Sequence, residues 1–317
     1  MKKFLVLLAM LASGITAQAC EFPCKPVTFV MSVGAGGPAD SLFVRPFSEF
    51  FLKETGQPLV IEYMPAAEGI LQIRRLKAAP GDGYTIGLIR SSTSVYKPIM
   101  DNVDYNPVTD LTNIGMFVTY SSALYVHSNS PYMTYKDLVV KGPKKGINIG
   151  ASYHGVRILT RVMSEHENID AQTIMYPGDA PANTALLGQH VDGVVGTLGG
   201  LPLKLVKEGT FRVLATTGKT RNPAAPTAPT FKELGLNIEQ YTFLGVGGPP
   251  NMDPAVLKRL NTLLNKFMFD PEMVAKVAQE GMQTPTPNTP EATTNFIDSQ
   301  IKVWDGYRRK HNIPKNQ

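Results

Sequence analysis

The chain has 317 residues, 43% hydrophobic and 18% charged, with a formal net charge of +5. That balance suits a globular protein of one large or two medium domains and excludes a fibrous or disordered chain. No dense Lys/Arg patch is interleaved with aromatics, which excludes a nucleic-acid partner, and no apolar run is long enough to span a bilayer.

The chain opens on a leader. Lys2-Lys3 is a basic start, Phe4 to Ala12 an apolar run, and Ala17-Gln18-Ala19 a small-x-small cleavage site. Residues 1–19 are expected to be a signal peptide, so the mature protein should be periplasmic. Without Lys2 and Lys3, the 31 basic residues become 29 against 26 acidic, a net charge of +3. The two cysteines, Cys20 and Cys24, follow the cleavage site. Cys20 is either a lipid-modified N-terminus or half of a Cys20–Cys24 disulfide. Ala17 and Gln18 suit a lipoprotein site poorly, and an oxidising compartment suits the disulfide. A metal site is not expected, because no further Cys or His stands at ligand spacing.

Strand one spans Val27–Met31 and empties into Ser32-Val33-Gly34-Ala35-Gly36-Gly37-Pro38-Ala39-Asp40-Ser41. Glycines let this backbone turn sharply and approach a ligand. Pro38 suits a helix start, whose free N–H groups and dipole form a socket for an anion. A helix over 39–55 follows, with Pro46 expected to kink or shorten it. Strand two is Leu59–Glu62, a short helix covers Ile70–Ala78, and strand three is Tyr84–Leu88, ending near Arg90 and Ser91-Ser92-Thr93-Ser94. Strand-helix-strand-helix-strand argues a doubly wound, mostly parallel sheet.

Ile114–Tyr120 and Ala123–His127 read as one long strand broken near Ser121-Ser122. The second half repeats the α/β pattern. Its strands are Ile147–Ala151, Thr173–Tyr176, Val191–Val195 and Arg212–Thr216. Its helices are Thr134–Val140, Val156–His166, Ala182–Leu187 and Leu201–Val206. After a Pro-rich loop over Asn222–Pro229, the strand Tyr241–Val246 returns to the first half. Helices at Pro254–Phe269, Pro271–Gln279 and Pro290–Arg308 close the chain. Two crossings divide it into lobe 1, residues 20–121 plus 241–317, and lobe 2, residues 122–240. Ligands of such folds bind beyond the carboxyl ends of the strands.

Several motifs carry competing readings. Gly34 to Ala39 matches G-x-G-x-x-A after a strand, and Glu62 stands where a ribose-binding acid would. An exported protein has little access to a nicotinamide cofactor, so a small-solute anion socket is favoured and no cofactor is expected. Gly218-Lys219-Thr220 lacks the first P-loop glycine, since Val213 stands there. Ser152-Tyr153-His154-Gly155 resembles a nucleophile elbow with one residue too many. Ser152 is read as a strand-end donor, and no catalytic residue is assigned. His154 sits on the same turn. Arg90 and Arg157 are either bidentate carboxylate partners or solvated arginines. Tyr176 either lines a cleft or packs.

In order along the chain, Phe22-Pro23-Cys24-Lys25-Pro26-Val27, Gly36-Gly37-Pro38-Ala39-Asp40, Asp82-Gly83-Tyr84-Thr85, Tyr105-Asn106-Pro107, Tyr176-Pro177-Gly178-Asp179-Ala180-Pro181-Ala182 and Asp270-Pro271-Glu272 with Trp304 form a pattern. The pattern resembles the extracytoplasmic solute receptors of tripartite tricarboxylate transporters, the Bordetella-uptake-gene type, over nearly all of the mature chain. The resemblance implies a two-lobed, type II periplasmic binding (Venus-flytrap) fold. It implies a monomer that captures a small organic carboxylate by hinge closure and delivers it to the membrane permease subunits. By position, the cleft would use Gly37, Pro38, Ala39, Asp40 and Ser41; Arg90, Ser91 and Ser92; Ser152, Tyr153, His154 and Arg157; and Tyr176 with Asp179. Two features depart from the family. The turn Tyr63 to Gly69 loses two glycines and gains Glu68, and Arg157 falls about where the family often has histidine. An exported α/β enzyme, of dinucleotide or hydrolase type, and a receptor feeding a sensor kinase are the alternatives.

Overall fold

The computed structural model describes residues 21–65, 69–142 and 146–316. The leader and Cys20 lie outside the described residues, as do Ala66 to Glu68 of the altered turn. Cys24 is disulfide-bonded.

Two five-stranded sheets organise the chain. The first contains β1 (Val27–Met31), β2 (Leu59–Tyr63), β3 (Thr85–Arg90), β4 (Thr112–Tyr120) and β10 (Thr242–Gly248), in the order β2-β1-β3-β10-β4. The second contains β5 (Ser122–His127), β6 (Ile147–Ala151), β7 (Ala171–Met175), β8 (Gly193–Thr197) and β9 (Phe211–Thr216), in the order β7-β6-β8-β5-β9. In each sheet one flank is parallel and the other antiparallel. β1 pairs in parallel with β2 and β3, whereas β10 runs antiparallel to β3 and β4. β6 is parallel to β7 and β8, and β5 is antiparallel to β8 and β9. Helical crossovers produce the parallel flank, and the strands that carry the chain between lobes produce the antiparallel one.

β4 and β5 belong to different sheets with Ser121 alone between them, so the expected long strand is two strands that part at the crossing. The return segment is stitched to it. The Thr217 hydroxyl accepts from the Ser122 N–H at 2.9 Å and donates to the Gln240 carbonyl at 2.9 Å.

β1 is central and covered on both faces. Val27, Phe29, Val30 and Met31 are all buried, which explains its continuous apolar run. One face of the first sheet packs against α1 (Arg45–Thr55) and α8 (Pro254–Met268) through Phe43, Phe47, Phe51, Phe117 and Phe267. The other face belongs to a core that continues into the second lobe through Tyr96, Val156, Ile149 and Trp304, the last on α10 (Pro290–Lys310).

The expected helix over 39–55 is a π-helical turn, Ala39–Val44, running into α1. Pro46, near the start of α1, has no N–H to offer the carbonyl of Leu42, and the wider turn absorbs that mismatch. The same device recurs after β3, where Ser92–Tyr96 is a π-helical turn leading into α3 (Lys97–Met100) and Pro98. A Ser/Thr cluster favours turns, and here it forms a helical one.

Candidate ligand site

Four strand-end turns are candidates, two from each lobe. In the turn after β1, Gly36 takes a left-handed conformation at φ 81° and residues 34–36 are exposed. The Asp40 side chain is fully buried. Its Oδ2 accepts from the Gly36 N–H at 2.7 Å and from Arg45 Nε at 2.8 Å, and its Oδ1 accepts from the Tyr63 hydroxyl at 2.8 Å. Burial alone would raise the Asp40 carboxyl, but the Gly36 N–H, the Arg45 guanidinium and the Tyr63 hydroxyl together hold it below its ordinary value. Asp40 therefore clasps the glycine turn from behind and offers no carboxylate to the cleft. Within the turn the Gly36 N–H is occupied by this internal carboxylate, and the Asp40 and Ser41 N–H groups donate to the Gly37 carbonyl. Ser41 is exposed, and its hydroxyl donates to the Gly37 carbonyl at 3.1 Å.

The dinucleotide alternative meets the same obstacle, since a pyrophosphate would compete with Asp40. Glu62, its ribose-binding acid, is paired with Arg75 at 3.0 Å.

The turn after β3 lies beside this one. A Cβ added at Gly69, which precedes α2 (Ile70–Lys77), would fall 2.6 Å from Thr93 and 3.1 Å from Ser32. Three chain segments thus converge at the carboxyl edge of the sheet. Ser91 is committed to the fold, because its Oγ accepts from the Phe243 N–H at 2.8 Å. The hydroxyls of Ser32, Ser92 and Ser94 are buried with no hydrogen-bond partner among the described residues. An unpaired buried hydroxyl costs about 1–3 kcal/mol. The hydroxyls of Thr160, Thr216, Thr242 and Thr293 share that state elsewhere, so what singles out the three serines is their place beyond the ends of β1 and β3.

In the second lobe, Ser152 leaves the end of β6 and donates its hydroxyl to Asp179, the first residue of α6 (Asp179–Leu187). That partner is a carboxylate and not a histidine, so the nucleophile arrangement of a serine hydrolase is not formed. Tyr176 is half-buried at the end of β7, its N–H bonded to the Ala151 carbonyl at 2.8 Å.

Tyr153, His154 and Arg157 follow Ser152 along the chain, and the Tyr153 and Arg157 side chains bond to other elements. The Tyr153 ring stacks on Tyr96 of the first lobe at 5.4 Å. Its hydroxyl pairs with Ser122 at 2.8 Å and accepts from Gln240 Nε2 at 3.1 Å, while Gln240 also donates to the Tyr96 hydroxyl. Burial pushes the Tyr153 hydroxyl up to about 12, against the pull of the Ser122 and Gln240 bonds. His154 precedes α5 (Gly155–Glu167). Burial would raise the carboxyl of Asp101, but its bonds to Lys97 and Asn316 hold it below its ordinary value. Arg157 donates to Asn316 of the C-terminal tail at 2.9 Å and faces a groove of about 790 Å³ between α5 and that tail. A second groove, of about 530 Å³, lies between α7 (Gly200–Lys207) and the end of α9 (Pro271–Gln279). The glycine turn lines neither.

Tyr120, at the end of β4, links the candidates. Burial raises its hydroxyl, the Asp179 charge raises it further, and the Thr197 bond and the Arg90 charge pull it down. Arg90 of one lobe and Asp179 of the other are thus felt at one point beside the crossing. Sequence reasoning does not single out Tyr120, Thr197, Gln240 or Ser32. The available signal is position, since each ends or adjoins a strand at the crossing or the turn.

The family model described as the tripartite tricarboxylate transporter family receptor matches residues 44–313. A Cupriavidus necator protein, the UPF0065 protein in the gbd 5' region, is 30% identical over 281 residues, 87% of this chain and 84% of its own length. Among solved structures, periplasmic binding protein BugD superposes with a TM-score of 0.78 at 25% identity, over 93% of this chain and 100% of that one. An R. palustris protein with adipate gives a TM-score of 0.81 at 21% identity, over 93% and 100%. The two sheets are the lobes of the type II periplasmic binding fold, and the chain belongs to the tripartite tricarboxylate transporter receptor family.

Proposed function

We propose that this protein is a periplasmic receptor that captures a small organic carboxylate between its lobes and hands it to the membrane permease of a tripartite transporter. Residues 20–121 plus 241–317 would move against residues 122–240 about the crossings at Ser121 and Gln240. The observation that carries the reading is the trio of unpaired buried hydroxyls, Ser32, Ser92 and Ser94, at the strand ends of the first lobe. They supply neutral hydrogen bonds suited to a carboxylate, and Arg90 adds positive charge at the crossing. Ser152, Tyr176 and Asp179 would close over the ligand from the second lobe, excluding water and strengthening those bonds. Adipate in the R. palustris structure supports a carboxylate as the ligand class. In this reading Gly37, Pro38 and Ala39 supply backbone, whereas Asp40, Ser41, Ser91, Tyr153 and Arg157 hold the framework.

The test is a thermal-shift titration of the mature protein against mono-, di- and tricarboxylates, hydroxy acids and amino acids. A true ligand raises the melting temperature in a saturable way, adding about 2.7 kcal/mol at a hundred times its dissociation constant. Silence across the whole panel overturns the carboxylate reading.

A further inference from the structure

Asp179 differs from the other acid of the strand-end turns. Asp40 is buried and fully bonded, whereas Asp179 is exposed and receives the Ser152 hydroxyl on Oδ1 alone. Among the described residues no cationic side chain pairs with it. It is nevertheless close to the crossing, because its partner Ser152 adjoins Tyr153, whose hydroxyl bonds Ser122 and Gln240 there, and its charge is felt at the hydroxyls of Tyr120, Tyr125 and Tyr153.

We propose that Asp179 selects, from the second lobe, a carboxylate ligand that carries a hydrogen-bond donor, an ammonium or hydroxyl group, over a plain dicarboxylate. This rests on the receptor reading above. An ionised carboxylate only accepts hydrogen bonds. Ser152 satisfies one oxygen and leaves Oδ2 for a ligand donor. The ligand's own carboxylate is left to the hydroxyls and positive charge of the first lobe. A plain dicarboxylate closed into the same space would set its second carboxylate against Asp179, and like charges brought together in a closed site are strongly disfavoured. The site therefore discriminates by repulsion as well as by attraction, and amino acids or hydroxy acids satisfy both halves.

The test is calorimetric titration of the wild type and of Asp179→Asn with matched ligands: succinate, malate and aspartate, then adipate and 2-aminoadipate. Asparagine keeps the size and a carbonyl acceptor for Ser152 but removes the charge. The expected result is that the wild type binds the amino or hydroxy member of a set at least about tenfold more tightly than the plain diacid. In Asp179→Asn that ratio should collapse, largely through a gain for the plain diacid. Unliganded melting temperatures within a degree or two show that the variant is folded. Equal wild-type affinities within each set, or a ratio unchanged in the variant, overturn this proposal and leave the receptor reading standing. Binding of no carboxylate by either protein overturns both.

Discussion

Asp40 is the residue whose chemistry is most completely satisfied. Its three donors hold together the glycine turn, the following π-helical turn and the end of β2. Asp40→Asn should destabilise the protein by about 1–3 kcal/mol at neutral pH, because a buried charged hydrogen-bond centre loses its match. Urea unfolding at pH 7 measures this. The pH dependence has a fixed sign. The folded carboxyl titrates below the unfolded value of about 3.9, so in that window the unfolded chain binds more protons. The contribution is present above the unfolded value and disappears as pH falls through the folded one, so the gap in stability between the wild type and the variant should narrow as the solution is acidified below about pH 4. Arg157 gives a second expectation at this scale. Its guanidinium donates to Asn316, so Arg157→Ala should change mono- and dicarboxylate affinities by one common factor. A selective loss for dicarboxylates would return Arg157 to the cleft.

The π-helical turns and the helices that meet across the lobes are the informative elements. α5 begins at Gly155, where an added Cβ would fall 2.6 Å from the Tyr96 ring at the end of the second π-helical turn. Neither side has slack, because Tyr96 is packed between Tyr153 and Trp304. Gly155→Ala should therefore push α5 off the first lobe and destabilise by about 1–3 kcal/mol, the range for overpacking. Thermal denaturation checks it, and an unchanged melting temperature would mean that the lobes slide freely at this contact. Proline explains why both lobe-one turns are wide. Pro46 and Pro98 each remove one donor at the start of the helix that follows, and the turn before each widens.

Over the whole molecule, the lobes share one apolar core and one aromatic relay. Trp304 is the chain's only tryptophan, lies 5.7 Å from Tyr96, and reaches the second lobe through the Tyr96–Tyr153 stack. Closure about the crossings should alter Trp304 emission, with a midpoint equal to that of the thermal shift for the same ligand. Fluorescence titration beside small-angle scattering checks this. A contraction in scattering with constant emission would show that the relay moves as one body. The bonds of Thr217 to Ser122 and Gln240 tie the two crossing segments together.

The sequence by itself determined the elements and their class. Short β-favouring, mostly apolar segments bounded by Gly, Pro and Ser turns define β1, β6 and β9 because burial and turn chemistry are local signals. Those signals also marked where strands end, and hence where candidate turns lie. Tertiary structure decided what each polar side chain meets. Asp40 looks like a ligand residue in the sequence, but it faces inward because Tyr63, from another strand, and Arg45 lie within its reach. Ser91 and Ser92 are adjacent and chemically identical, yet one is spent on the N–H of Phe243, 152 positions away, and the other has no partner. β4 and β5 read as one long strand broken near Ser121-Ser122, and the pairing assigns the two pieces to different sheets. Hydrogen-bond partners distant in sequence have no period or spacing to betray them, so the division between framework and cleft appears only once the chain is folded.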